Sequence, residues 1–182
     1  MVSTSSDPRL GAIRLAWWRE RLEELDEGKT APSEPRLRAV AGELLPLSIR
    51  GHELSQLEDF WLPLLAAFPW GEEQVDALKG RGRLLFGIGA RLLGGDPAEA
   101  ETAGELWALE DGGLHCSDAA SRQRLRCEAL AIERNAKVPR SLRPLTVLGE
   151  LAIINILEPS SGVARGMAAL HHRITGRFSQ RS

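Results

Sequence analysis

An all-α fold is predicted by three features of this sequence. Leucine, alanine, arginine and glutamate dominate while β-branched residues are scarce and tyrosine is absent, a balance that favours helix over sheet. Apolar residues recur at three- and four-residue intervals through most segments instead of alternating. Gly and Pro punctuate those segments, and Asp7-Pro8 and Asp96-Pro97 each have the form of a helix start, an acceptor side chain followed by a residue with no N–H to lose. At 182 residues the chain suits one helical domain, residues 1–182, long enough to bury a core without staples.

Residues 1–6 are small and polar and read as frayed. The first helix is expected from Pro8 to Glu27, stopping at Gly28. Ile13, Trp17, Leu22 and Leu25, with Leu10 and Trp18, are its apolar seam, and Arg19, Glu20, Arg21, Glu23 and Glu24 fill the other side. Adjacent tryptophans demand a broad partner surface. Pro32, Ser33 and Pro35 mark a turn before a helix near Leu37 to Leu45. Ser55-Gln56-Leu57-Glu58 has the form of a capping box, followed by Leu57, Phe60, Trp61, Leu64, Leu65 and Phe68 at helical spacing, with Pro63 as a kink.

From Glu72 a long stripe of Val75, Leu78, Leu85, Phe86, Leu92 and Leu93 continues through Gly82, Gly87 and Gly89. These glycines lower helix propensity and so imply close packing or a bend. Gly94-Gly95 ends that helix, and Asp96-Pro97 opens one with a small-residue face, Ala100, Ala103, Gly104 and Ala108, interrupted by Trp107. Gly112-Gly113 is expected to break it. Ser117 or Asp118 caps an arginine-rich helix reaching about Asn135. Pro139 and Pro144 frame a nearly all-round apolar helix from Leu145 to Leu157, with a strand over Ile153–Leu157 the less simple alternative. Pro159 to Gly162 ends it, and a short helix holds Val163 to Ile174.

The 25 acidic residues against 23 Lys plus Arg leave a formal charge of -2, which gives no field for recruiting nucleic acid. No apolar run approaches the roughly 20 residues of a membrane span. Cys116 and Cys127 form no CxxC and no secretory leader is evident, so they read as free thiols in a reducing, cytoplasmic setting.

Gly80-Arg81-Gly82-Arg83 lacks the spacing of a phosphate loop and follows no predicted strand. Arg81, Arg83 and Arg91 nevertheless offer guanidinium forks matched to phosphate oxygens and, with Trp107, are the candidate substrate-binding residues; a solvated helix edge is the alternative for the arginines. Glu101 and Glu105, one helical turn apart, and Asp111 beyond them are the candidate metal ligands. Glu20 with Glu24 is a further acidic pair, and all of these also suit an ordinary exposed helix face. His115, Cys116 and Asp118 are the densest mixed cluster, yet no second Cys or His stands at finger-like spacing, and His52, His171 and His172 are remote in sequence. No local motif for a serine or cysteine nucleophile is present, and no catalytic residue is assigned.

The run Ile13-Arg14-Leu15-Ala16-Trp17-Trp18-Arg19-Glu20-Arg21-Leu22, continuing to Gly28, resembles the squalene/phytoene synthase family. Leu54-Ser55-Gln56-Leu57-Glu58-Asp59-Phe60-Trp61, Gly82-Arg83-Leu84-Leu85-Phe86-Gly87 and Ala103-Gly104-Glu105-Leu106-Trp107-Ala108-Leu109 are similar to later family segments, and the resemblance covers residues 9–157. It implies a single-domain orthogonal helical bundle of the isoprenyl synthase type around a central cavity. Active members use two aspartate-rich helix motifs to hold Mg2+ against prenyl diphosphates and condense two prenyl chains through a cyclopropyl intermediate. The first motif belongs upstream of the Trp-Trp helix, where only nine residues precede Leu10, so the expected bundle is N-terminally truncated. The second belongs between Ala103 and Asp118. There the chain reads Trp107-Ala108-Leu109-Glu110-Asp111-Gly112-Gly113, with Asp111 standing near a family carboxylate.

Diphosphate ionisation needs several charges converging on one leaving group in a site kept dry. The resemblance therefore implies a non-catalytic relative with a lipid-binding or assembly role, similar to the branch that includes an assembly factor associated with respiratory complex I. The alternative is a Mg2+-dependent prenyl transferase using Glu101, Glu105 and Asp111 with arginines near Arg81. The expected partners are a prenyl lipid or a protein. Arg165, Arg173, Arg177 and Arg181, with no acidic residue after Glu158, add peripheral membrane contact through the last helix.

Overall fold

In a computed structural model that describes residues 7–157 and 162–180, the chain is all-α, with no strand among the described residues. It divides into two compact units, Met1–Ala67 and Phe68–Ser182.

The first unit is organised along α1, Pro8–Asp26, which starts as its sequence predicts: Pro8 occupies the first turn and the Asp7 carboxylate accepts from the Arg9 N–H at 2.9 Å. The buried seam differs from the expected one. Gly11, Leu22 and Leu25 are buried, whereas Leu10, Ile13 and Trp17 lie exposed on another face. Successive residues advance about 100° around a helix, so Gly11, Leu15, Trp18, Leu22 and Leu25 form one stripe and Leu10, Ile13 and Trp17 a second. Hydrophobicity alone does not say which stripe the neighbouring elements cover.

The helix expected near Leu37 to Leu45 is a composite. It comprises α2, Pro35–Ala39, a π-helical turn Val40–Leu44 and a 3-10 turn Leu45–Leu47, ended by Ser48 in the left-handed region. A helix without a clear sequence signature, α3 at Gly51–Ser55, precedes α4 at Leu57–Trp61. Ser55 is therefore not a capping residue: its hydroxyl donates to the His52 carbonyl at 2.8 Å and to Glu23 at 3.1 Å. The cap of α3 comes instead from α1, because the Asp26 carboxylate accepts from the backbone N–H groups of Gly51 and His52, both at 2.8 Å. Glycine is required at Gly51, where a Cβ would lie 1.9 Å from the Leu22 carbonyl oxygen.

The second unit is built on α5, Glu72–Leu92, α6, Glu101–His115, α7, Ala119–Ala131, and α8, Arg143–Leu157, with α9, Gly162–Thr175, against α8. Gly82 and Gly89 of α5 act through close packing, whereas a Cβ on Gly87 would make only ordinary contact, 3.5 Å from Pro97. A Cβ on Gly82 would stand 2.1 Å from the Gly104 carbonyl oxygen, and one on Gly104 would stand 2.3 Å from that of Gly82. Across the other side of α6, a Cβ on Gly149 of α8 would lie 2.5 Å from the Ala103 Cα. The small-residue face predicted for Ala100, Ala103, Gly104 and Ala108 is this double seam, and all four residues are buried.

The helix does not break at Gly112-Gly113. It runs on to His115 because Gly112 is buried over the Leu78 side chain. Asp118 caps α7 by accepting from the Ser121 N–H at 2.7 Å, while the helix ends at Ala131, short of Asn135. The segment Ile153–Leu157 is helical, part of α8. Pro159, assigned to the end of that helix, falls outside the described residues, as do residues 1–6 and Arg181. No helix among the described residues is long and apolar enough to cross a membrane.

Candidate functional site

The two α5 arginines nearest the Gly82–Gly104 crossing meet two of the three α6 carboxylates proposed as ligands. The buried Arg81 guanidinium donates to Asp111 at 2.6 Å and lies over the Trp107 ring, 5.3 Å from its centroid. Arg83 donates to Glu105. Trp107 in turn packs against Phe86 at 5.7 Å between ring centroids. A guanidinium already neutralised by a carboxylate in a partly desolvated setting has little left to offer a diphosphate, since exchange would strand the carboxylate. Arg91 is exposed near the C-terminal end of α5, about 15 Å along the helix axis from Arg81 at 1.5 Å per residue.

Glu101, Glu105 and Asp111 do not converge into a metal site. Glu101 is exposed at the start of α6, Glu105 is held by Arg83 and Asp111 by Arg81. Among the described residues no three His, Cys, Asp or Glu side chains form a group able to hold a metal ion. The carboxylate geometry thus does not fit a magnesium–diphosphate centre. Glu20 and Glu24 both face Arg21, with Glu24 at 2.7 Å. At the α6–α7 corner, His115 contacts its own helix at the Asp111 carbonyl, 2.8 Å away, and Asp118 caps α7. Bonds from Ser121 hold the Asp118 carboxyl below its usual range. Cys116 is buried and Cys127 exposed, both as free thiols.

A ligand-sized space lies in the first unit, on the buried stripe of α1. A cavity of about 280 Å³ is walled by Leu15, Trp18 and Leu22 of α1, Leu54 of α3, and Leu57 and Trp61 of α4. Gly11 and the exposed Arg14 and Arg36 also line it. Arg19 closes one side by donating to Glu58 at 3.1 Å and to Glu23 at 3.2 Å. The volume falls just below the roughly 300–1,000 Å³ typical of small-molecule sites. Its walls are largely apolar, and the charged side chains of Arg14, Arg19, Arg36 and Glu58 complete its lining.

A polar network in the second unit was not visible in the residue pattern. Glu150, fully buried in α8, accepts from the Ser179 N–H at 3.0 Å and hydroxyl at 2.5 Å. His172 of α9 is also fully buried, with Nε2 2.9 Å from the Thr146 hydroxyl and Nδ1 3.1 Å from the Arg177 carbonyl. Burial holds its imidazole below the ordinary value of 6.5. Arg143 donates to the carbonyls of Arg173, Ile174 and Thr175, satisfying the last turn of α9. The one signal was Glu150 itself, the one acid in a largely apolar helix, which burial obliges to find donors. These groups fasten the 176–180 segment to α8 and present no open reacting centre. At the edge of α6, burial pushes the Glu110 carboxyl above its usual range, opposed by the amide of Asn155 donating at 3.1 Å.

No protein-family model, curated protein or solved structure matches this chain.

Proposed function

We propose that the protein is a non-catalytic, squalene/phytoene synthase-like helical protein that binds an apolar lipid chain in the cavity between α1, α3 and α4. The observation that carries this reading is that cavity: Trp18 and Trp61 line it with rigid apolar area, and the exposed Arg14 and Arg36, which line it too, are cations suited to an anionic or hydroxylated head. The separate pairing of Arg81 with Asp111 and of Arg83 with Glu105 supports the loss of synthase chemistry, because those side chains are engaged with one another. The all-α architecture and the Trp-Trp stretch of α1 support an isoprenyl-synthase type of fold.

The test is tryptophan fluorescence of the full chain titrated with farnesol and with farnesyl diphosphate, alongside diphosphate release in the presence of Mg2+. Saturable quenching is expected with no diphosphate released. Leu15→Glu is expected to weaken binding more than about tenfold, the equivalent of 1.4 kcal/mol. Absence of saturable quenching, or quenching unchanged in Leu15→Glu, overturns the lipid reading; turnover of farnesyl diphosphate overturns the non-catalytic one.

A further inference from the structure

The last described helix has its apolar stripe on the wrong side for a helix that only completes a core. In α9 the buried residues are Ala168 and His172, which face α8. Val163, Met167, Leu170 and Ile174 follow one another at intervals of four, three and four residues, and at about 100° per residue they fall in a narrow band on the opposite side. They are 77%, 63%, 51% and 65% exposed. A contiguous exposed apolar band of this kind marks an interaction surface.

Charge selects the occupant. From Gly162 to Gln180 the chain has Arg165, Arg173 and Arg177 and no Asp or Glu. Beside the stripe, Arg173 shares an open groove of about 1010 Å³ with Leu170 and Ile174, and Arg140, Pro144 and Val147 form its other bank. Apolar residues flanked by guanidiniums match a surface that offers acyl chains below and phosphates above. A second copy of the chain fits less well, because a parallel pairing of α9 would bring Arg173 toward its own counterpart, and the stripe spans fewer than the three to four heptads of a lasting coiled coil.

We propose that α9 docks the protein on an anionic membrane surface, with Val163, Met167, Leu170 and Ile174 inserted among the acyl chains and Arg140 and Arg173 on the lipid phosphates. The surface belongs to the second unit and does not rest on the cavity in the first.

Flotation of the full chain with vesicles of phosphatidylcholine, or of phosphatidylcholine with 30% phosphatidylglycerol, tests this at low and high salt. Binding is expected to the anionic vesicles and to fall with salt. Met167→Glu/Leu170→Glu is expected to reduce partitioning more than about tenfold, and Arg140→Gln/Arg173→Gln by about 25-fold, at roughly fivefold per arginine. All these side chains except Arg140 lie on the outer part of α9, and circular dichroism and melting confirm that each variant is folded. Equal binding to neutral and anionic vesicles overturns the proposal, as does binding that survives Met167→Glu/Leu170→Glu in a folded protein. A dimer in light scattering that this double variant dissolves, with no vesicle binding by the parent, assigns the stripe to a second copy instead.

Discussion

Gly11 in α1 and Gly82 in α5 are both helical glycines pressed against another element, and the two units differ in what presses on them. A Cβ on Gly11 would meet the Leu65 methyl at 2.9 Å, the far end of a side chain that can turn away. A Cβ on Gly82 would meet the Gly104 carbonyl oxygen at 2.1 Å, which moves only if α5 and α6 separate. The first unit has close backbone contact where Gly51 meets Leu22, and further along α1 it leaves a cavity. The second closes backbone on backbone at Gly82–Gly104 and again at Gly149–Ala103, which leaves ion pairs and a buried network to fill the remaining polar needs. Along α1 the cavity begins where backbone contact gives way to side-chain contact, whereas the α5–α6 crossing is backbone against backbone.

The largest expected effect is at the crossing. Gly82→Leu should lower the stability of the second unit by about 3 kcal/mol or more, read by urea unfolding, because no side-chain rearrangement can make room. Gly11→Ala should change stability by less than about 1 kcal/mol, since the contact is soft and alanine gains helix propensity. Equal losses at Gly11→Ala and Gly82→Ala would erase the distinction drawn between the two helices.

A smaller effect separates the two ion pairs flanking that crossing. Arg81→Met should cost about 2 kcal/mol, because it strands Asp111 beside a buried site, and Arg81→Met/Asp111→Leu should recover most of the loss. Arg83→Met, at a half-exposed pair, should cost less than about 1 kcal/mol. If Arg81→Met were as mild as Arg83→Met, the buried pair would have no special structural part.

The smallest effects are in pH dependence and have opposite signs at two sites. The folded state disfavours protonated His172, so its contribution is complete above the ordinary value of 6.5 and is lost as pH falls toward the lower folded value. The folded state disfavours ionised Glu110, so stability is lost as pH rises from the ordinary 4.5 toward the higher folded value. Melting temperatures of His172→Gln should flatten the acid-side fall, and those of Glu110→Gln should flatten the loss on the rising side. A His172→Gln profile parallel to that of the parent would show that the buried imidazole does not titrate with folding.

Much of the fold was legible because the signals were local. Asp7-Pro8 and Asp118 cap helices through bonds to N–H groups two or three residues away, and the small-residue face of α6 is a helical periodicity. Other elements depended on partners far along the chain. The cap of α3 is Asp26, 25 residues before Gly51. Gly112-Gly113 looked like a break because glycine lowers helix propensity, but Leu78 packs over Gly112 and the helix continues. Among the candidate site residues, arginines and carboxylates were identified as interacting types, whereas their pairing with each other depends on the register of α5 on α6.

The sequence by itself determined helical class, most helix starts and the small-residue face of α6, because propensity, capping and periodicity act within a few residues. Only the tertiary structure decided which stripe of α1 is buried, that Arg81 and Asp111 neutralise each other, and that the apolar band of α9 faces outward. Two stripes on one helix are equally hydrophobic in isolation; the physical difference between core and surface is made by what packs against them.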